Sequence, residues 1–101
     1  MNDIELNAAI AAQPHDKVTK ESIEARIKAT RYLVLPGTTV TICHIELDNG
    51  FSVRGESACV DKRNFNMQIG EEIAQRQAFG KLWELFGFLL AERKHLASLA
   101  K

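Results

Sequence analysis

The stretch Leu47-Asp48-Asn49-Gly50-Phe51 runs directly into Ser52-Val53-Arg54-Gly55-Glu56-Ser57-Ala58-Cys59-Val60, and the architecture follows from it. A turn-forming triplet between two segments rich in β-branched and apolar residues is a hairpin signal. Two loop lengths compete. A two-residue Asn49-Gly50 loop sets Ser52 opposite Leu47 and Val53 opposite Glu46, which mixes polar and apolar side chains on both faces. A three-residue loop places Gly50 in the left-handed conformation, which glycine adopts without strain. Leu47 then faces Phe51, Ile45 faces Val53 and Cys43 faces Gly55. Burial of one face specifies register strongly, so the three-residue loop is predicted.

Upstream, Tyr32-Leu33-Val34-Leu35 followed by Pro36-Gly37 reads as a strand entering a turn. Residues 1–18 form a flexible arm or short helix, interrupted at Gln13-Pro14-His15-Asp16 because proline lacks a donor and restricts its neighbour. Thr19 suits a helix N-cap, Val18 can staple against Ile23, and Glu21 complements the dipole in the first turn. Ile23 and Ile27, four apart, predict a helix that ends near Thr30. Downstream, Asp61-Lys62-Arg63-Asn64 suits a turn and Asn66 a second cap. Ile73, Ala74, Ala78, Leu82, Leu85, Phe86 and Leu89 fall at helical spacing, and Gly70, Ala74 and Ala78 repeat every fourth residue, which lets the helix lie close to a sheet. Gly87 either kinks or ends this helix, or the helix continues to about Ala97. The predicted fold class is α+β: an N-terminal helix, an antiparallel sheet built on the 38–60 hairpin, and a long C-terminal helix, with residues 19–101 as one domain.

A chain of 101 residues has room for one core. Thirteen basic residues balance thirteen acidic ones, so no basic excess marks a duplex nucleic-acid binder. No run of about 18 apolar residues predicts a membrane span, and the acidic start Met1-Asn2-Asp3-Ile4-Glu5-Leu6 is unlike a signal peptide, which predicts a cytoplasmic protein. Cys43 and Cys59 lack zinc-ligand spacing. In the predicted register they lie roughly 13 Å apart along the strands, beyond the reach of a disulfide. A C-terminal helix of about 28 residues would measure about 42 Å, longer than so small a domain is wide. Its tail, with Phe86, Phe88, Leu89 and Leu90, is more apolar than a lone helix end should be. Both features predict a homo-oligomer, most simply a two-fold dimer.

The chemistry-bearing residues form no catalytic motif. His15, His44 and His95 have no partner at metal-ligand spacing, the glycines are too dispersed to cradle a phosphate, and no cofactor is implied. Ser57 and Cys59 with His44 can be drawn as nucleophile and base, but an inward-facing Cys59 is inert. On the second sheet face His44 lies beside Arg54, and Val40 and Ile42 beside Ala58 and Glu56. Such a mixed face is either covered by a helix or subunit, or it binds a ligand.

Several segments together carry a family resemblance: Asn49-Gly50-Phe51, Gly55-Glu56-Ser57-Ala58-Cys59-Val60, Asn64-Phe65, Ile69-Gly70, and Ala78 with Leu82-Trp83-Glu84-Leu85 and Leu89-Leu90. The pattern resembles a family of small tailed-phage proteins, the gene-product-49/gene-product-66 family, over about the last 80 residues. It departs at Phe86-Gly87-Phe88, where a Glu-Gly-Tyr-like run is expected. The resemblance implies a phage accessory protein acting in the host cytoplasm. Its general look is also similar to that of small phage sponges of the anti-Thoeris kind. That likeness implies a non-enzymatic protein which sequesters an immune signalling nucleotide, of the cyclic ADP-ribose or cyclic oligonucleotide type, at a subunit interface.

A nucleotide ligand needs cations for phosphate, an aromatic face for the base and hydrogen-bonding groups for ribose. Arg54, Arg63 and Arg76 can meet phosphate, Phe65 or Trp83 can stack, and Ser57 and Asn64 can hydrogen-bond. Plainer roles compete: Phe65 and Trp83 as core anchors, Arg63 as a solvated turn residue, Asn64 as the closure of the turn. The alternative function is a protein–protein interaction module that docks on a host protein through the C-terminal helix.

Overall fold

A computed structural model of the chain describes residues 2–13 and 15–100; the predicted break at Pro14 falls outside them. The fold is α+β. Helices α1 (Asp3–Ala11) and α2 (Lys20–Glu24) precede strands β1 (Ile27–Val34), β2 (Val40–Leu47) and β3 (Ser52–Ala58), and a 3-10 turn at Lys62–Asn64 leads into α3 (Met67–Leu99). The strands form one antiparallel sheet in the order β1-β2-β3.

The hairpin has the three-residue loop. Ile45 pairs with Val53 and Cys43 with Gly55. Leu47 N–H donates to the Phe51 carbonyl at 2.8 Å, and Gly50 carries a φ of +89°. Asn49 Oδ1 accepts from Phe51 N–H at 3.0 Å and closes the turn. The register places Thr41, Cys43, Ile45, Leu47, Val53 and Gly55 on one buried face. Cys43 and Cys59 are both free.

The helix that starts at Thr19 is shorter than the Ile23–Ile27 spacing predicts. Thr19 and Ser22 form a reciprocal capping box, but α2 ends at Glu24, not near Thr30, and residues 27–30 belong to β1. Contacts distant in sequence take these residues from the helix. The Arg26 carbonyl accepts from Asp48 N–H at 2.8 Å, and Arg26 Nε donates to both Asp48 carboxylate oxygens at 2.8 and 2.9 Å. With the chain pinned to the hairpin there, Thr30 and Tyr32 pair with Ile45 and Cys43. Strand pairing overrides a weak local preference.

Helix α3 covers the buried sheet face. Asn66 caps it, its side chain accepting from Ile69 N–H at 3.2 Å. The core is Ile23, Cys43, Ile45, Leu47, Val53, Ala74, Ala78, Phe79, Leu82 and Phe86, with Val18 and Ile27 packed at its margin. Ala74 and Ala78 bring the helix onto β3, as their four-residue repeat predicts. Gly70 also lies at the contact, since a Cβ there would approach Thr41 Oγ1 to 2.7 Å. Ser57 Oγ donates to the Gly70 carbonyl at 2.7 Å and ties β3 to the first turn of α3.

Gly87 does not end α3, which runs unbroken for 33 residues, about 50 Å at 1.5 Å per residue. The molecule measures 59 × 35 × 18 Å with a radius of gyration of 17.1 Å, against about 13 Å for a compact domain of this size. Helix α3 spans most of the long dimension, and its last buried residue is Phe86, so its end runs past the sheet. No described helix is long and apolar enough to cross a membrane.

Candidate functional site

The six residues that the nucleotide reading singles out do not converge. Arg54 lies exposed on β3, on the sheet face away from α3, and its guanidinium donates to Ser52 Oγ at 3.0 Å. Ser57 is used internally by its bond to Gly70. Arg63 grips the Asp61 carboxylate through Nε at 3.0 and 3.2 Å and through a terminal nitrogen at 2.6 Å. The Arg63 side chain and then its backbone N–H hold the Asp61 carboxyl below the usual carboxylate range. Asn64 is exposed at the end of the 3-10 turn and Phe65 is half-buried after it. Arg76 sits on α3 and donates to Glu72 one helical turn away at 2.7 Å.

Ser57 and His44 belong to opposite faces of the sheet, because side chains alternate along each strand and the register sets Ser57 opposite Thr41. The nucleophile–base pairing is therefore not formed. Cys59 is half-buried, its Sγ donating to the Asp61 carbonyl at 3.1 Å. Burial pushes the Cys43 thiol up, with Glu71 adding to the shift and a hydrogen bond from Tyr32 opposing it. A raised thiol is a poor nucleophile. No described residues group as metal ligands.

Two other arrangements emerge. The first is a groove between α1, α2 and α3, lined by Lys20, Gln75, Arg76, Phe79 and Trp83, with Asp3 and Glu72 at its rim. Trp83 is 41% exposed and stands edge-on to Phe79, the ring centroids 6.1 Å apart. Trp83 is thus not a buried anchor, and it lies in the same groove as Arg76. Sequence spacing does not reveal this, because Lys20 reaches the groove only through the fold.

The second is the projecting half of α3. Phe86 is buried in the core and Leu90 is half-buried, so neither belongs to an exposed patch. Leu85, Phe88, Leu89, Leu96 and Leu99 are exposed instead, Phe88 and Leu99 by about two thirds. Leu85, Leu89, Leu96 and Leu99 continue the core positions Ala78 and Leu82 at alternating steps of three and four, the spacing of a helix that packs against another helix. Glu92 interrupts the stripe, and Arg93 and Lys94 lie instead with Leu90 and Ala97 on the side of α3 that faces Asp16 and Lys17. Leu96 and Leu99 lie beyond the stripe read from sequence, although the same step extended would have reached them.

On comparison with known proteins, the family model described as Phage protein (N4 Gp49/phage Sf6 gene 66) family matches residues 18–94, which is more than half of the chain. The match takes in α2, the whole sheet and α3 as far as Lys94, and leaves α1 outside. No curated protein and no solved structure matches the chain.

Proposed function

We infer the role of this chain from one premise: it belongs to the Phage protein (N4 Gp49/phage Sf6 gene 66) family. In an infected cell it acts as a non-enzymatic accessory protein that docks on a host protein through the second half of α3. The observation that carries this reading is the exposed stripe of Leu85, Phe88, Leu89, Leu96 and Leu99 on a helix that has left its own sheet. Apolar side chains at this spacing fit an apolar groove, in the manner of an amphipathic helix bound along one face.

The double variant Leu89→Glu, Leu96→Glu tests it. Each leucine is exposed, so the domain should keep its melting temperature. Burying a leucine contributes about 1.5–3 kcal/mol, and each 1.4 kcal/mol is tenfold in affinity, so the double variant should bind at least ~100-fold more weakly. A host protein is first captured by the native chain, then purified, and its affinity for both forms measured. Equal affinities would remove the stripe from the interface and end this reading.

A second reading, sequestration of a cyclic nucleotide signal, is favoured by the exposed ring of Trp83 in one groove with Lys20 and Arg76. An aromatic face beside two cations suits a base and a phosphate. Asp3 and Glu72 at the rim oppose an anion, which ranks this reading second. A ligand bound only by the folded state raises the melting temperature by mass action. A shift with a cyclic ADP-ribose isomer or cyclic oligonucleotide that Trp83→Ala abolishes would support it. No shift at concentrations far above micromolar would exclude it.

A further inference from the structure

The two edges of the sheet are finished differently. An edge strand presents unpaired N–H and C=O groups that can template another strand. On β3, pairing of Val53 with Ile45 and Gly55 with Cys43 turns the backbone groups of Arg54 and Glu56 outward. On each residue one of these groups is met by a side chain of α3. Glu56 N–H donates to Gln77 Oε1 at 2.7 Å, and Lys81 Nζ donates to the Arg54 carbonyl at 2.6 Å. That edge is closed.

The β1 edge is open. Leu35 N–H donates to the Val40 carbonyl at 3.0 Å, which sets the alternation along the β1–β2 ladder. Arg31 and Leu33 therefore direct their backbone groups to β2, and Thr30, Tyr32 and Val34 direct theirs outward. Among the described residues no side chain hydrogen-bonds to those outward groups. Tyr32 is 42% exposed and Leu33 56% exposed. The groove between this edge and α3 is lined by Thr30, Tyr32, Gln68 and Glu71, and no element of the fold fills it.

We propose that β1 pairs with β1 of a second copy about a two-fold axis at Tyr32, which joins two three-stranded sheets into one of six strands. Any antiparallel self-pairing centred on a residue of β1 sets outward groups against outward groups, so the side chains and the ladder length choose the centre. A centre at Leu33 sets Thr30 opposite Pro36, which has no N–H, and shortens the ladder. A centre at Arg31 sets two arginines directly opposite, and like charges there are destabilising. A centre at Tyr32 sets Arg31 opposite Leu33 of the second copy and Thr30 opposite its Val34. The alkyl stem of Arg31 then covers Leu33, and the two tyrosines cover each other. The ladder ends naturally after Val34, since Pro36 has no N–H to extend it. The large apolar side chains left exposed on β1, Tyr32 and Leu33, coincide with the centre of this register. That coincidence points to a second copy, not to a foreign strand.

The test is sedimentation of the purified chain across concentration, with amide hydrogen exchange. The chain should be a dimer whose Thr30, Tyr32 and Val34 amides exchange slowly and become fast on dilution into monomer. Tyr32→Lys, which brings like charges together at the axis, should weaken the dimer at least tenfold, with the monomer's circular dichroism unchanged. Leu89→Glu should leave the dimer intact, which separates this edge from the docking helix. A monomer at every accessible concentration would overturn the inference. So would fast exchange at all three amides in a dimer, or a dimer that dissociates with Leu89→Glu and not with Tyr32→Lys.

Discussion

Gly55→Ala should destabilise the domain by about 3 kcal/mol or more, at the upper end of what overpacking a core costs. A Cβ at this position would lie 2.2 Å from the Ala74 carbonyl oxygen, 2.4 Å from Ala78 N and 3.0 Å from Gln77 Cβ. The first two are backbone atoms of α3, so no rotamer change relieves the contact. The helix must lift off β3, and it would then loosen Ala74 and Ala78, both fully buried. A domain of this size is stable by about 5–15 kcal/mol in all, so Gly55→Val should leave it largely unfolded. The glycine is needed for space alone, since its φ is not positive. Gly87→Ala is the matched control: nothing lies within 4 Å of a Cβ there, and Ala in a helix interior is favoured over Gly by up to about 1 kcal/mol. Urea midpoints of the two variants should move in opposite directions. An unchanged midpoint for Gly55→Ala would mean that α3 does not lie this close to the strand.

Leu82→Ala should cost about 2–5 kcal/mol. Leu82 is fully buried, between the core residues Phe79 and Phe86 on α3, and the sheet closes its other side. Truncation leaves a cavity that the rigid β2–β3 hairpin cannot collapse to fill. Each kcal/mol corresponds to roughly 4–8 °C in a domain of this size, so the melting temperature should fall by at least ~8 °C. Leu89→Ala, further along the same stripe but 43% exposed, should change it by less than about 4 °C, because surface substitutions usually stay within ±0.5 kcal/mol. Equal losses at the two positions would mean that the second half of α3 is packed against something in the isolated chain.

These two positions also separate what is legible in the sequence from what is not. The four-residue repeat of Gly70, Ala74 and Ala78 announces close approach of a helix, and Gly55 marks where the strand yields to it. The stripe through Leu82 announces burial. Nothing in the stripe announces where burial stops, because Leu85 and Leu89 keep the same spacing after the sheet has ended. Phe86 shows the same ambiguity in reverse. It reads as part of an exposed apolar tail, but its place on the helix turns it into the core. The candidate site was the least legible part. Arg54, Arg63 and Arg76 are equally basic in sequence, but Asp61 engages Arg63, Glu72 engages Arg76, and Arg54 stands on the opposite face of the sheet.

By itself the sequence determined whatever depends on near neighbours. The Asp48-Asn49-Gly50 loop sets the hairpin register, since only Gly50 takes a positive φ cheaply and only one register gathers the apolar side chains. Asn66 starts α3, since its side chain meets an otherwise unpaired N–H three residues on. Tertiary structure decided the rest: that α2 stops at Glu24, that Gln77 and Lys81 close β3 and leave β1 open, and that α3 outruns its sheet. Each of these is settled by backbone or side-chain groups many residues apart, such as Arg26 with Asp48 and Lys81 with Arg54. Their distances come from the packed fold, and no periodicity along the chain encodes them.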